Sequence, residues 1–520
     1  MEPRPTPEEV LRRVFGHERF RPGQRELTEA VLAGRDAIGV MPTGAGKSLA
    51  YQLPARLLGG TALVVSPLIA LMKDQVDALR RRGIRATFLN SSLRPEERRE
   101  RVQAIRRGEV ELVYAAPEGL EASAGGALSG VRLSLIAVDE AHCISHWGHD
   151  FRPAYRNLSG LKERFRGVPM LALTATATRR VSADVVQQLA MRDPFEYRGS
   201  FYRPNLRLRA VKKGGQGGVR SRQAILRHVA GRPGESGIVY CATRKAAEGL
   251  ADDLRRHGVR ALAYHAGLEP AVRERAQDAF QRGAAEVVVA TIAFGMGIDK
   301  PDIRYVVHRD MPGSVEGYCQ EIGRAGRDGG ESDCVLFYSW ADVMTHDRFA
   351  ERVEDPRVAA RQREQARGMF RWAEATGCRH ALLVRHFDER VSPCGSSCDR
   401  CAPGPPAPLR AGGRPDSPRL APLATDGAGA GQGRTAPPAV APGATAPEYA
   451  ALFERLRAMR RRLAEARRVP AFLVFHDSTL RAIAAARPAS EAALRAVPGL
   501  GPRKLADYGA EVLAVVRGAG

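Results

Sequence analysis

Lysine is scarce in this chain of 520 residues, with eight lysines against 72 arginines. A lysine inside a motif is therefore not the default basic residue, and it marks a place that wants a compact point charge. Aromatic residues are few as well, 6% of the chain with three tryptophans. No apolar run approaches the roughly 20 residues needed to cross a bilayer. Residues 1–6 are polar and proline-rich, without the pattern of a secretory signal. These absences predict a cytoplasmic protein with no membrane partner, whose eight cysteines do not form a disulfide framework. Acidic residues are also in deficit, 58 against 80 basic ones, for a net charge of +22. An arginine-rich bias accounts for arginine over lysine but not for the excess over acids. Polyanions, nucleic acid first, are the expected partners.

One of the eight lysines stands in Val40-Met41-Pro42-Thr43-Gly44-Ala45-Gly46-Lys47-Ser48, after an apolar strand-like run and before an expected helix. That is the context of a phosphate-binding loop. Gly44 and Gly46 let backbone N–H groups curl round phosphates, Lys47 reaches the outer phosphates, and the Ser48 hydroxyl can hold Mg²⁺. Ahead of it, Phe20 can stack on a base and the Gln24 amide can match an adenine edge, although a helix cap beside a core phenylalanine produces the same pattern.

Apolar β-branched runs at 36–41, 61–67, 86–92, 110–117, 133–140 and 169–177 alternate with helical stretches, which predicts a doubly wound parallel sheet. Ligands of such sheets sit at the carboxyl ends of the strands. The 133–140 run ends there in Asp139 and Glu140, then His142. Asp139 can hold Mg²⁺ through water and Glu140 can polarise an attacking water, with His142 linking the nucleotide to what binds above. Residues 143–155 follow, with Ser145, His146, Trp147, Phe151 and Arg152 in no helical or strand period. Exposed aromatics beside an arginine suit stacking on unpaired bases, and a small hydrophobic cluster under a loop is the rival reading. A second α/β unit has strands near 237–243, 261–267, 286–292, 305–311 and 334–339 and no phosphate loop of its own. It carries Arg324 and Arg327, read here as two arginines on one helix face that act as arginine fingers, with a surface ion-pair helix as the alternative.

These motifs together resemble the RecQ family of superfamily 2 DNA helicases. The matching segments run through residues 10–345: FRPGQ, MPTGAGKS, SPLIALMKDQV, DEAHCISHWGHDFRP, LTATAT, YHAGL, VVATIAFGMGIDKPDIRYVVH and QEIGRAGRDG. The resemblance implies two tandem RecA-like lobes that use ATP and Mg²⁺ to move 3′ to 5′ on single-stranded DNA and separate duplex, in recombination and repair. By the family's pattern Gln24 contacts adenine, Lys47 and Ser48 the phosphates and metal, and Asp139 and Glu140 the metal and water. Arg324 and Arg327 match its motif arginines, and residues 145–155 its aromatic-rich coupling loop. Three departures stand out: His146 where glutamine is usual, Gly119 where arginine is usual, and Cys319 where tyrosine is usual.

Beyond residue 345 the pattern turns helical and ends in Cys378, Cys394, Cys398 and Cys401, an order that fits a tetrahedral Zn²⁺ site. It resembles the family's zinc module, with the Cys394–Cys398 gap one residue longer than usual. Residues 402–447 hold no aromatic, isoleucine or methionine. They predict a disordered Pro/Ala/Gly linker spanning on the order of 35–40 Å. Residues 448–517 show helical periodicity with breaks at Pro470, Pro488 and Pro498, and resemble an HRDC domain. There the 497–504 hairpin offers Arg503 and Lys504 to a DNA phosphate; a protein-docking bundle is the alternative.

The expected division is a first lobe over 1–205, a second lobe over 206–345, a zinc-binding helical module over 346–402, a linker over 403–447 and a small all-α bundle over 448–520. The expected partners are single-stranded and forked or tailed duplex DNA at the nucleoid, with repair proteins besides. A duplex translocase or strand-annealing remodeller is the rival enzyme, and a DNA-binding scaffold the rival non-enzyme. The family's winged-helix domain has no room between the cysteines and the bundle, so duplex contact falls to the tethered bundle, held near by its linker. Truncation after about residue 405 is therefore expected to keep single-strand-stimulated ATPase but to weaken binding and unwinding of forked DNA. The full-length advantage should shrink as salt rises. Equal binding and unwinding of forks by both forms at low salt would assign the bundle to protein docking.

Overall fold

The computed structural model describes residues 5–118 apart from 68 and 92, residue 128, residues 130–214 apart from 149, and residues 220–295 and 300–402; near the carboxyl end it describes 447–466, 474–475, 477–497, 500 and 502–518. It forms two compact units, one before and one after residue 415. Gly119, residues 296–299 of the GMGID run and the linker at 403–446 lie outside the described residues.

The first sheet is built from β1 (Ala37–Val40), β2 (Thr61–Val65), β3 (Ala86–Leu89), β4 (Leu112–Ala115), β5 (Leu133–Val138), β6 (Met170–Thr174) and β7 (Phe195–Arg198). Their order is β3-β4-β2-β5-β6-β1-β7, with every pairing parallel. Strands flanked by helices on both faces have no wet side, which is why they read as unbroken apolar runs. Ile38, Leu63, Val113 and Ile136 join the core on one face, and Val64, Leu112, Leu135 and Leu171 with Leu27 and Leu53 join that on the other.

The second sheet holds β8 (Leu206–Lys212), β9 (Ser236–Tyr240), β10 (Ala261–Tyr264), β11 (Val287–Ala290), β12 (Ile303–His308) and β13 (Ser332–Tyr338), again all parallel, in the order β10-β11-β9-β12-β13-β8. Both lobes are all-parallel sheets, as the alternation implies, and the two tandem RecA-like lobes are those that the resemblance implies. Two strands were not expected. Each lies at a sheet edge and carries charges: β7 reads Phe-Glu-Tyr-Arg, and β8 alternates leucine and arginine from Leu206 to Arg209, its outer edge covered by the Leu208 N–H on the Ser397 carbonyl at 2.9 Å and the Asp399 N–H on the Leu208 carbonyl at 3.0 Å.

Helices Trp340–Ala350, Pro356–Glu374 and Arg379–His386 form the module that follows. It belongs to both lobes at once. Val384 and Phe387 enter the first lobe's core, while Met369, Trp372, Leu383 and Cys398 enter the second's. The Phe387 ring stacks on Phe201 at 4.0 Å and 6°. Around that stack the Glu389 carboxylate accepts the Phe201 N–H at 2.8 Å, and Asp388 accepts the Arg179 N–H at 2.7 Å. Arg379, fully buried, donates to Asp399 and to the carbonyls of Trp372 and Ala373, each at 2.9 Å. A buried guanidinium is tolerated when its donors are matched in this way.

In the carboxyl-terminal unit, helices Pro447–Ala466, Asp477–Ala486, Glu491–Arg495 and Pro502–Arg517 close round Leu456, Phe475, Leu480, Leu494 and Val512. Helix Asp477–Ala486 stops two residues before Pro488, as a proline requires; Pro470 and Pro498 lie outside the described residues. Among the described residues no helix is long and apolar enough to cross a membrane.

Phe387→Ala removes a ring buried at the junction of both lobes, and about 3–5 kcal/mol of stability is expected to go with it. Denaturant unfolding of the full chain checks this, and a change below about 1 kcal/mol would mean the junction repacks without the ring.

Candidate nucleotide and nucleic-acid site

The turn after β1 is held open by backbone that only glycine adopts freely. Gly44 has φ +91° and Gly46 φ +76°, both left-handed, and a Cβ on Gly46 would stand 2.5 Å from Gln24 Nε2. Helix Leu49–Leu58 starts directly after Lys47 and Ser48, and its first N–H groups tie it to the turn, Leu49 donating to the Gly46 carbonyl at 3.2 Å and Ala50 to that of Lys47 at 3.0 Å. Two strands away, β5 brings Asp139 to the same end of the sheet, with its N–H on the Val65 carbonyl at 2.8 Å. Burial, and next the charge of Glu140, raises the Asp139 carboxyl above its ordinary range; Lys47 pulls the other way, and a divalent cation would do so more strongly. Glu140 sits at φ 48°, ψ 44°, unusual for a side-chain-bearing residue and a local cost of about 1–3 kcal/mol. Its Oε2 is buried without a hydrogen bond, 3.4 Å from His142 Nδ1. A buried carboxylate oxygen left so suits a water or a hydrated cation.

Gln24 is buried and its amide is engaged on both ends. Oε1 accepts the Arg21 N–H at 2.9 Å, and Nε2 donates to the Gly46 carbonyl at 2.9 Å and the Ala45 carbonyl at 3.2 Å. Arg21 Nη1 donates to the Gly44 carbonyl at 2.5 Å. The segment ahead of β1 thus braces the phosphate loop. Phe20 packs partly into the first lobe's core, with the Arg25 guanidinium 6.0 Å from its ring.

A cleft of about 390 Å³ runs between the lobes, lined by Arg21, Thr43, Gly44, Tyr197, Arg203 and Arg327 among others. Here the helix-face reading of the two arginines fails. Helix Val315–Ile322 ends before them, and residues 323–328 are turns in which Gly326 takes φ +55°. The turn sends the arginines different ways. Arg327 lies along the phosphate loop, where a Cβ on Gly44 would be 3.4 Å from its Cγ, and Gly323 presses on Thr43. Arg324 is buried in the second lobe and donates to the Gly295 carbonyl. Two residues missed by sequence reasoning hold the turn: Arg203 donates to the Gly326 carbonyl at 2.7 Å, and Asn205 to those of Gly326 and Gly330 at 2.9 Å. An arginine and an asparagine round a proline between two lobes were the available signal.

The loop after the carboxylates is tied back to them. Tyr155 donates its hydroxyl proton to the Asp139 carbonyl at 3.1 Å, and His142 Nδ1 is 2.9 Å from Thr174 Oγ1 at the end of β6. Ser145 is fully buried; its hydroxyl donates to Asp184 and accepts the Trp147 N–H at 3.1 Å, so it shapes the loop. His146 and Phe151 stack at 4.2 Å; burial, then Arg156, pushes the His146 imidazole below its ordinary pKa. Trp147 is 42% exposed, with the Arg180 guanidinium 3.1 Å and that of Arg361 4.3 Å from its ring centre. Arg361 belongs to helix Pro356–Glu374, which links this loop to the cysteine module. Arg152 donates to Asp150 at 2.9 Å and to the Pro67 carbonyl at 3.2 Å. Beside it opens a second cleft of about 520 Å³, walled by Asp150 and Arg152 on one side and by Thr291, Gln320 and Arg324 on the other.

Cys378, Cys394, Cys398 and Cys401 come together with their sulfurs within 4.8 Å of one another. Cys398 Sγ is 4.0 Å from Cys378 Sγ, close to the about 3.8 Å edge of a tetrahedral zinc–sulfur site. Burial pushes the Cys378 thiol up, but backbone N–H groups of Ala381 and Cys394 bring it below its ordinary pKa, while burial raises Cys394 and Cys401. Four sulfurs so close cannot all ionise without a cation, and a structural Zn²⁺ fits the set. Cys319, between the two lobes' cores, is pushed up to about 12 by burial and then Glu316. In the carboxyl-terminal unit the Lys504 ammonium stands 5.6 Å from the Phe475 ring, its pKa lowered by burial. Residues 498, 499 and 501 of the hairpin, and the Arg503 side chain, lie outside the described residues.

Known proteins share this arrangement. Residues 21–185 match the DEAD/DEAH box helicase family, 221–329 the helicase conserved C-terminal domain, 340–402 the RecQ zinc-binding family and 450–516 the HRDC domain. The chain is 46% identical over 406 residues to the ATP-dependent DNA helicase RecQ of Haemophilus influenzae, covering 77% of this chain and 64% of that protein. It is 41% identical over 395 residues to the protein of the same name from Bacillus subtilis, covering 75% and 66%. The chain thus spans a little under two thirds of the length of these curated relatives. In fold it is similar to the Mycobacterium smegmatis helicase Lhr bound to ssDNA and AMP-PNP, with a TM-score of 0.51 at 23% identity over 65% of this chain and 48% of that one. The DUF1998 helicase MrfA bound to DNA gives a TM-score of 0.54 at 19% identity over 64% and 51%. With all four families matched in order, two parallel-sheet lobes and a four-cysteine module, the chain belongs to the RecQ family of helicases.

Proposed function

We propose that the chain is an ATP-dependent DNA helicase that moves 3′ to 5′ on single-stranded DNA and unwinds duplex in recombination and repair, as a cytoplasmic, nucleoid-associated enzyme. The observation that carries this reading is the place of the phosphate loop, whose Lys47 charge acts on Asp139 within the first lobe and whose Gly44 meets Arg327 of the second lobe across the cleft. Backbone N–H groups at Gly44 and Gly46 and the Lys47 ammonium would cradle ATP phosphates, with Ser48 and Asp139 holding Mg²⁺ that neutralises charge on the outer phosphates. Glu140 would orient the attacking water, and its unsatisfied Oε2 supports that role. Arg327 would meet charge spreading over the transferred phosphoryl group, which makes hydrolysis depend on the lobes closing. Arg324 reaches the same charge only if it leaves the Gly295 carbonyl. Phe20, Thr43 and Gln24 complete the nucleotide side.

DNA coupling would run through His142 and the loop carrying Ser145, His146, Trp147, Phe151 and Arg152. Its support is the Tyr155 bond to the Asp139 backbone and the exposed Trp147 ring. Stacking a base on that ring requires an arginine to move aside, and it would be worth roughly 1–3 kcal/mol. The four cysteines would hold one structural Zn²⁺, and Arg503 and Lys504 would add a phosphate contact. The division into lobes at 1–205 and 206–345, zinc module at 346–402, linker at 403–447 and bundle at 448–520 goes with this reading, as do forked or tailed duplex substrates and repair-protein partners.

Lys47→Ala is expected to lower kcat for ATP by at least about 10²-fold, as loss of one preorganised charge does, while single-strand binding stays. DNA-stimulated turnover in this variant would sink the site assignment. Trp147→Ala should keep basal hydrolysis and lose stimulation by single strands; full stimulation would mark the ring as mere loop packing. Metal analysis should find one zinc per chain, and Cys398→Ser should release it and lower the melting temperature. A fully active, zinc-free preparation would contradict the zinc assignment.

A further inference from the structure

A second group of metal-ligating side chains lies outside the four-cysteine module. His142 Nε2 is 3.8 Å from Cys143 Sγ, Cys143 Sγ is 3.9 Å from Asp150 Oδ2, and a nitrogen, a sulfur and an oxygen of these residues lie within 4.8 Å of one another. A tetrahedral Zn²⁺ has S–N and S–O edges of about 3.5–3.6 Å, so a contraction of a few tenths of an ångström would complete three corners. The His142 ring is set for this, because Nδ1 faces Thr174 Oγ1 and Nε2 points at the sulfur. Entry is possible from one side: His142 and Cys143 are buried, whereas the Asp150 side chain is 40% exposed on the wall of the 520 Å³ cleft. The competitor is Arg152, whose Nε and Nη2 donate to Asp150 Oδ2 at 3.1 and 2.9 Å.

We propose that His142, Cys143 and Asp150 form a second, weaker site for a thiophilic divalent cation, Zn²⁺ or Cd²⁺, and that occupancy inhibits coupling by clamping the loop between them. Cys143 and Asp150 bracket the loop, and its base is already closed by the Arg152 N–H on the Cys143 carbonyl at 2.9 Å. An ion joining the two side chains turns that backbone closure into a fixed clamp and detaches Arg152 from Asp150. Binding forms an S–metal bond and releases the thiol proton to solvent, with no change of oxidation state. The binding claim is independent of the proposed helicase activity; the inhibition claim rests on it.

The test titrates full-length protein, its four-cysteine module already filled with zinc, with Cd²⁺, following thiolate-to-cadmium charge-transfer absorbance. Cys143→Ala and Asp150→Asn serve as controls. The wild type is expected to take one equivalent beyond the first and the variants none, with both variants folding as judged by circular dichroism and by retained module zinc. Excess Zn²⁺ should then suppress single-strand-stimulated ATP hydrolysis several-fold in the wild type and leave Cys143→Ala unaffected. Absence of a second equivalent, or its retention in Cys143→Ala, overturns the site. A second equivalent with undiminished stimulation overturns the clamp, and absence of DNA-stimulated hydrolysis in any form counts against the helicase reading while the binding result stands.

Discussion

Two adjacent carboxylates at the end of a buried strand are electrostatically untenable by themselves, and the arrangement of the first lobe follows from what offsets them. Asp139 is almost wholly buried beside Glu140, and desolvation with the neighbouring like charge penalises its ionisation. Positive partners can come from Lys47 on the neighbouring loop, from a divalent cation with its nucleotide, and from Arg327 across the cleft. Lys47 lies at the carboxyl end of the first lobe's sheet, where helix N-termini add their own positive ends, and Arg327 faces the loop from the amino end of the second sheet, its turn held by the Gly326 N–H on the Ile303 carbonyl. Charge balance at one point thus ties ligand binding to the approach of the second lobe.

That approach is governed by the helical module as much as by the cleft. Phe387 and Val384 are buried with the first lobe, Trp372 and Leu383 with the second. Arg361 reaches the Trp147 ring from the same module. A change in lobe spacing must therefore either deform the module or pivot about the Phe201–Phe387 stack, and the aromatic loop feels both. The module earns its place as a strap between lobes, and a metal that stiffens it also steadies the hinge.

The chemistry was more legible in the sequence than the geometry. The phosphate loop, the carboxylate pair and the four cysteines are local patterns whose spacing is itself the mechanism, and Lys47 stood out because lysine is rare in this chain. Buried parallel strands were readable for a similar reason, since apolar runs need no partner to be recognised. The edge strands β7 and β8 were missed because half-exposed strands carry charges like those of loops. Arg324 and Arg327 were placed on one helix face, yet three glycines within seven residues, Gly323, Gly326 and Gly329, end the helix and send the two side chains apart. The Gln24 amide on the loop carbonyls, and Arg203 and Asn205 on the arginine turn, are long-range contacts that no local pattern encodes.

In the helicase we propose, closing this cleft on ATP is coupled to movement along a single strand. The most direct measurement pairs the ATP hydrolysis rate, without DNA, with single strands and with blunt duplex, with strand separation of 3′-tailed and 5′-tailed duplexes. Strong stimulation by single strands is expected, with unwinding of the 3′-tailed duplex only. Hydrolysis indifferent to DNA, or stimulation without separation of either duplex, would contradict it.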